Sequence, residues 1–240
     1  NGSVLCLTRS KDEKYLFSGG SDSLVKVWDV ETMKETHTIY SLVDIGDIFS
    51  LVWSQKLNTI FFGCQNASIL FVHLHDTKPK NDPSSLPSQR FDKFFDSRGP
   101  TGDYNSLQLK KYQVQSRLIE VPSSNILRYA HNGFIYTMRI HENFLITGSG
   151  DGLIKIWDLK KQLNLVKELD NDDGVLTIAL NDSFLYCGLS NGKLKLWDLN
   201  TFQQLLTSHS EANNGEGEEI LTLSATKNYL FRATKGGITK

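Results

Sequence analysis

The chain has 240 residues, 39% of them hydrophobic and 22% charged, with a net charge of −1 and a pI near 6.7. That is an ordinary globular mixture, long enough to bury one large core or two small ones. It lacks the basic surplus of a nucleic-acid or anionic-membrane binder, and no uncharged run approaches the roughly 20 apolar residues of a membrane span. The first residues, NGSVLCLTRSKDEK, carry neither an initiator Met nor a signal pattern, so the chain is expected to begin inside a longer protein. Cys6, Cys64 and Cys187 are odd in number, far apart and set among apolar residues. They read as buried free thiols in a reducing compartment rather than as a disulfide framework.

The first predicted strand is VLCLT (4–8), followed by FSGGSDSLVKVWDV (17–30), which reads as strand, tight turn, strand. IFSLVW (48–53) and FFGCQNASILFVHL (61–74) repeat that order. Residues 77–102 then hold four of the five prolines and end in QRFDKFFDSRGPTG (89–102). RLIEVP (117–122) and NILRYAH (125–131) are candidate outer strands that close this stretch. GFIYTM (133–138) with ITGSGDGLIKIWDL (146–159), and VLTIAL (175–180) with YCGLSNGKLKLWDL (186–199), restore the pattern. After the acidic, glycine-containing EANNGEGEE (211–219) come ILTLS (220–224) and FRATKGGITK (231–240), the start of a fifth unit.

Trp157 and Trp197 are 40 residues apart, and Trp28 and Val72 are 44 apart. Short antiparallel strands in 40-to-45-residue units ending in Trp-Asp resemble the WD-repeat family. The expected fold is therefore all-β, a fragment of a WD-repeat β-propeller with about four to five blades of an expected seven. The expected layout is two repeats in 1–76, an inter-blade insertion in 77–131, and two repeats plus a truncated fifth in 132–240. A degenerate repeat hidden in 77–131 is the alternative to an insertion.

The family places a His, a Ser or Thr, an Asp and the Trp in one buried polar network. His131, Thr147, Asp151 and Trp157 fill all four places, and Ser18, Asp22 and Trp28 fill three. Cys187, Asn191 and Trp197 form a weaker set, and Phe62 with Asn66 leaves the second unit to packing. A His, a Thr and an Asp together suggest a catalytic triad, but recurrence of the same positions from unit to unit favours a structural role. GSGDG (148–152) lacks the lysine and following helix of a phosphate loop and reads as the repeat's own turn. His73-x-His75-Asp76 lacks evident third and fourth metal ligands. Arg is absent two positions after each Trp-Asp, where Glu31, Lys160 and Asn200 stand, which weakens a ubiquitin-ligase-receptor reading.

Beyond the repeat, DIGDIFSLVW (44–53), FGCQNASILFV (62–72), RFDKFFDSRGPTG (90–102), IEVPSSNILRYAHNGFIYTM (119–138) and FLYCGLSNGKLKLWDLNT (184–201) are similar to the N-terminal propeller of a fungal family. That family supplies the peptidase-like subunit of the cytosolic glutathione-degrading complex. The resemblance implies a non-catalytic scaffold in a cytoplasmic complex that cleaves the γ-glutamyl bond. It implies zinc only in a metallopeptidase domain outside these residues, and no cofactor within them. It also implies a glutamine-amidotransferase-type protein partner, with self-association as a further expectation and neither nucleic acid nor membrane. A stand-alone WD-repeat adaptor with no enzymatic domain is the alternative. Phe91, Phe94 and Phe95 share one face if their stretch turns helical, and with Arg90 and Arg98 they are the expected partner-docking residues. A strap lying across the chain's own repeats is the competing reading.

Overall fold

The structure, a computed structural model, describes residues 2–74, 117–208 and 218–239. Two compact units divide the chain, Asn1–Arg128 and Tyr129–Lys240. The divide lies near, but not at, the 131/132 boundary expected from the sequence. The insertion motif 90–102, with Arg90, Phe91, Phe94, Phe95 and Arg98, lies outside the described residues.

The first unit holds two sheets. Sheet 1 contains β1 (Val4–Arg9), β2 (Tyr15–Gly20), β3 (Val25–Asp29) and β4 (Lys34–Tyr40), paired antiparallel in chain order. Sheet 2 contains β5 (Ile48–Ser54), β6 (Thr59–Cys64) and β7 (Ile69–His73). The chain then returns to both sheets. β8 (Arg117–Glu120) adds a fifth strand to sheet 1, parallel to β4, and β9 (Ile126–Leu127) completes sheet 2 beside β7. A parallel neighbour demands a long crossover, and the chain between β7 and β8 supplies the length. Ile119 and Val121 fix the returning chain by entering the core formed by Phe17, Val25, Ile48, Ile60 and Phe62.

In the second unit, sheet 3 contains β10 (Ile135–His141), β11 (Phe144–Ser149), β12 (Leu153–Asp158) and β13 (Asn164–Asp170). Sheet 4 contains β14 (Val175–Asn181), β15 (Phe184–Leu189), β16 (Leu194–Asp198) and β17 (Gln204–Ser208). Sheet 5 has three described strands, β18 (Thr222–Ala225), β19 (Leu230–Thr234) and β20 (Gly237–Thr239). One core spans sheets 3 and 4, with Ile146, Ile154, Ile156, Val175, Ile178, Cys187 and Trp197. A smaller one, Ala179, Ile220 and Leu223, joins sheets 4 and 5. These strands are rich in β-branched and aromatic residues, which suit a pleated, packed surface.

Turn chemistry repeats as regularly as the strands. Between the second and third strands of sheets 1 to 4, Asp22, Asn66, Asp151 and Asn191 each turn a carboxylate or amide oxygen onto the backbone N–H two residues on, at 3.3, 3.1, 3.0 and 3.1 Å. Such side chains stabilise tight turns by imitating a backbone acceptor. The Asp of each Trp-Asp pair does the same after the third strand. Asp29 accepts from the Thr32 amide at 2.8 Å, Asp158 from Lys160 at 2.8 Å and Asp198 from Asn200 at 2.7 Å. The WD aspartate is thus a turn residue, while its tryptophan is a packing residue.

Candidate functional site

The polar chemistry of the described residues is densest on sheet 3. Trp157 Nε1 donates to Thr147 Oγ1 at 2.9 Å, and His131 Nε2 lies 2.8 Å from the same oxygen. His131 Nδ1 stands 3.0 and 3.2 Å from the two carboxylate oxygens of Asp151. Asp151 also accepts the Asn132 and Leu153 amides, at 2.8 and 3.0 Å. Burial opposes ionisation of Asp151, but the hydrogen bonds from His131 and these two amides, with the attraction of the imidazole, prevail and hold its carboxyl well below the usual carboxylate range. With Nδ1–H given to Asp151, Nε2 accepts the Thr147 hydroxyl hydrogen, and the Thr147 oxygen accepts the indole N–H. Every polar atom in the chain Trp157–Thr147–His131–Asp151 is then satisfied, as a buried network requires.

A hydroxyl on an imidazole backed by a carboxylate is also the layout of a nucleophilic triad. Burial decides against that use. Thr147 is 0% and His131 1% exposed, so no substrate reaches the hydroxyl, and one lone pair of that oxygen is already engaged by the indole. The four residues tie the inner strands of sheet 3 to its loops.

The other two sets differ from this one in instructive ways. In sheet 1, Trp28 Nε1 donates to Ser18 Oγ at 2.9 Å, while Asp22 serves its turn. A cleft lined by Gly2, Val4, Ser18, Asp22, Lys26 and Trp28 opens beside them. In sheet 4, Trp197 does not meet Asn191, which caps the turn at Lys193. Its Nε1 donates instead to Oδ1 of Asn171, at 2.9 Å, and the Cys187 thiol donates to that same oxygen at 3.2 Å. Asn171 gives its own N–H groups to the carbonyls of Leu169 and Gly152, at 2.9 and 3.3 Å, and is fully buried. Asn171 was missed because a search for His in that place passes over it. The signal available was its position ahead of β14, which matches that of His131 ahead of β10.

In sheet 2 apolar packing occupies this level, with Phe62 and Val72 both buried in the core. His73 Nδ1 is 2.6 Å from Thr59 Oγ1, while His75 and Asp76 lie outside the described residues. Among the described residues no three His, Cys, Asp or Glu side chains gather around a common point, so they do not fit a zinc site and no chemistry is derived through one. The three cysteines are free. Burial pushes the Cys6 and Cys187 thiols up to about 12 and that of Cys64 well above its ordinary value. No helix among the described residues is long and apolar enough to cross a membrane.

Comparison with known proteins agrees with this architecture. The WD domain, G-beta repeat family matches residues 1–29 and 124–158. The probable di- and tripeptidase DUG2 of Saccharomyces cerevisiae is 39% identical over 99% of this chain and 32% of its own length. A CCR4-associated factor 4 homolog of Vanderwaltozyma polyspora is 24% identical over 65% of the chain and 22% of its own length. The chain thus spans about a third or less of these curated relatives. The crystal structure of the computationally designed Ika8 protein shares the fold, with a TM-score of 0.64 at 18% identity over 98% of this chain and 57% of that one. The chain therefore carries WD repeats, folds as part of a WD-repeat β-propeller, and resembles over nearly its whole length a segment of the yeast di- and tripeptidase.

Proposed function

We propose that this chain is the non-catalytic WD-repeat interaction part of a subunit of a cytoplasmic, glutathione-degrading complex that cleaves the γ-glutamyl bond. The observation that carries the reading is the 39% identity to the yeast di- and tripeptidase over 99% of the chain. The polar networks agree with it. Their hydroxyl, imidazole and carboxylate groups are buried and mutually satisfied, and they act in packing rather than on a substrate. Peptide hydrolysis, and the zinc it would use, belong on this reading to a metallopeptidase-type domain outside these residues.

The partner in this proposal is a glutamine-amidotransferase-type subunit, docked through Arg90, Phe91, Phe94, Phe95 and Arg98. Aromatic and arginine side chains dominate the energetics of many protein interfaces, and this stretch concentrates both. The test is co-purification of the tagged chain with that subunit, using wild type and Phe94→Ser/Phe95→Ser. The wild type recovers the partner, and the double variant loses it while melting at an unchanged temperature. Failure of the wild type to recover that subunit refutes the reading. It would favour a stand-alone adaptor, the alternative to which the weaker match to the CCR4-associated factor 4 homolog lends support.

A further inference from the structure

The first strand of each sheet carries one four-residue pattern: Val4-Leu5-Cys6-Leu7, Ile48-Phe49-Ser50-Leu51, Ile135-Tyr136-Thr137-Met138, Val175-Leu176-Thr177-Ile178 and Ile220-Leu221-Thr222-Leu223. Three junctions within the units show what it does. The first residue seats on a glycine of the preceding sheet. A Cβ on Gly19 would stand 2.7 Å from Ile48 Cγ2, one on Gly148 would stand 2.7 Å from Val175 Cγ1, and one on Gly188 would stand 2.5 Å from Ile220 Cγ2. The third residue of the preceding sheet's first strand then reaches across. Thr137 Oγ1 accepts the Ile178 amide at 3.3 Å, and Thr177 Oγ1 accepts the Leu223 amide at 3.2 Å. Cys6 holds the same place, and its thiol donates to the Ile48 carbonyl at 3.3 Å. Each sheet therefore has a rear face bearing two apolar knobs and a forward face bearing a small-residue seat and a hydrogen-bonding pin.

Two of these faces are uncovered. On the rear of sheet 1 the knobs Val4 and Leu7 are 63% and 61% exposed, whereas their counterparts Ile48, Leu51, Val175, Ile178, Ile220 and Leu223 are all buried. On the front of sheet 5, Thr222 stands exposed as the pin, and Ala233, which pairs with it, takes the place of the seat. Ile238, paired with Ala233, is 77% exposed, while its counterpart Leu194 packs against the core of the next sheet. Val4 is one carbon shorter than Ile48 and Ile220, matching a seat made shallower by the alanine Cβ.

We propose that these two faces are complementary and mate between copies of the chain, the rear of sheet 1 in one molecule docking on the front of sheet 5 in another. Val4 sits over Ala233, Thr222 Oγ1 accepts the Leu7 amide, and Ile238 packs beneath the knobs. The two faces differ, so the contact is head-to-tail, and each copy keeps one free face until a ring closes.

Sedimentation velocity across a micromolar concentration series tests this with three proteins: wild type, a rear-face variant (Val4→Asp/Leu7→Asp) and a forward-face variant (Thr222→Glu/Ile238→Asp). All four positions are exposed, and thermal melts check that folding is retained. The wild type shifts to larger species with concentration, and each variant alone stays monomeric. An equimolar mixture of the two variants forms a one-to-one dimer and nothing larger, because only one intact pair of faces remains. A wild type that stays monomeric, with the faces covered by some other occupant or by one another within one molecule, overturns the proposal. So does a variant that still associates, or a mixture that does not.

Discussion

At the residue scale the informative contrast lies between Thr147 and the two asparagines of sheet 4. Thr147 serves both the Trp157 indole and the His131 imidazole, so Thr147→Val orphans two buried polar groups in a nearly isosteric side chain. Leaving a buried donor or acceptor unpaired costs about 1–3 kcal/mol each, and denaturant unfolding is expected to show a loss of about 2 kcal/mol or more. Asn171→Ala strips partners from Trp197 and Cys187 within the core, whereas Asn191→Ala removes a single turn contact. Asn171→Ala is therefore the more damaging, by about 1–2 kcal/mol in the same measurement. Asp151 adds a pH signature. Its folded carboxyl titrates below the unfolded one, so its stabilisation is complete above about pH 4. As pH falls from there the unfolded chain takes up the proton first, and the contribution is lost. Asp151→Asn is expected to flatten the acid limb of a stability-versus-pH curve; an unchanged limb would show that Asp151 does not drive it. His131, Thr147 and Trp157 were legible in the sequence because His and Trp-Asp are rare and regularly placed. Asn171 was not, because Asn is common and its role depends on an amide oxygen aimed across a loop.

At the element scale the strands hold one another through seats and knobs. Gly188 lies so close to Ile220 that even a methyl group must displace it. Gly188→Ala is expected to cost about 1–3 kcal/mol, as overpacking commonly does. Adding Ile220→Ala in the same chain should recover part of that loss, with a coupling of at least about 0.5 kcal/mol in a double-mutant cycle. Strict additivity would mean that the two residues do not compete for space. The existence and order of these strands could be read from the repeat, since alternating apolar residues bounded by Asp, Asn and Gly leave few other choices. The parallel placement of β8 beside β4 was not legible. RLIE is apolar and strand-like, but nothing in four residues states which edge they join or in which direction. That information lies in the hydrogen-bonding edge of β4 and in the burial of Ile119 and Val121, both of them properties of the assembled sheet.

At the scale of the whole molecule, the cysteines report on each unit separately. Cys6 and Cys64 lie in the core of the first unit, and Cys187 lies in the core shared by sheets 3 and 4. Burial keeps all three thiols protonated at neutral pH, and the thiolate is the reactive form. Alkylation of the native chain should therefore wait on local or global opening of the unit that holds each thiol. Thr147→Val weakens sheet 3, which packs directly on the sheet carrying Cys187. If the two units open independently, this variant accelerates Cys187 labelling several-fold and leaves Cys64 at its wild-type rate. If both thiols accelerate equally, the units open together, and the division at Arg128 describes packing but not cooperativity. Site-resolved mass spectrometry of a timed iodoacetamide reaction distinguishes the two outcomes. It also bears on assembly. A partner that covers the rear of sheet 1 stabilises the first unit by mass action and slows Cys64 labelling in proportion to its occupancy, while one bound to sheet 5 alone slows Cys187 first.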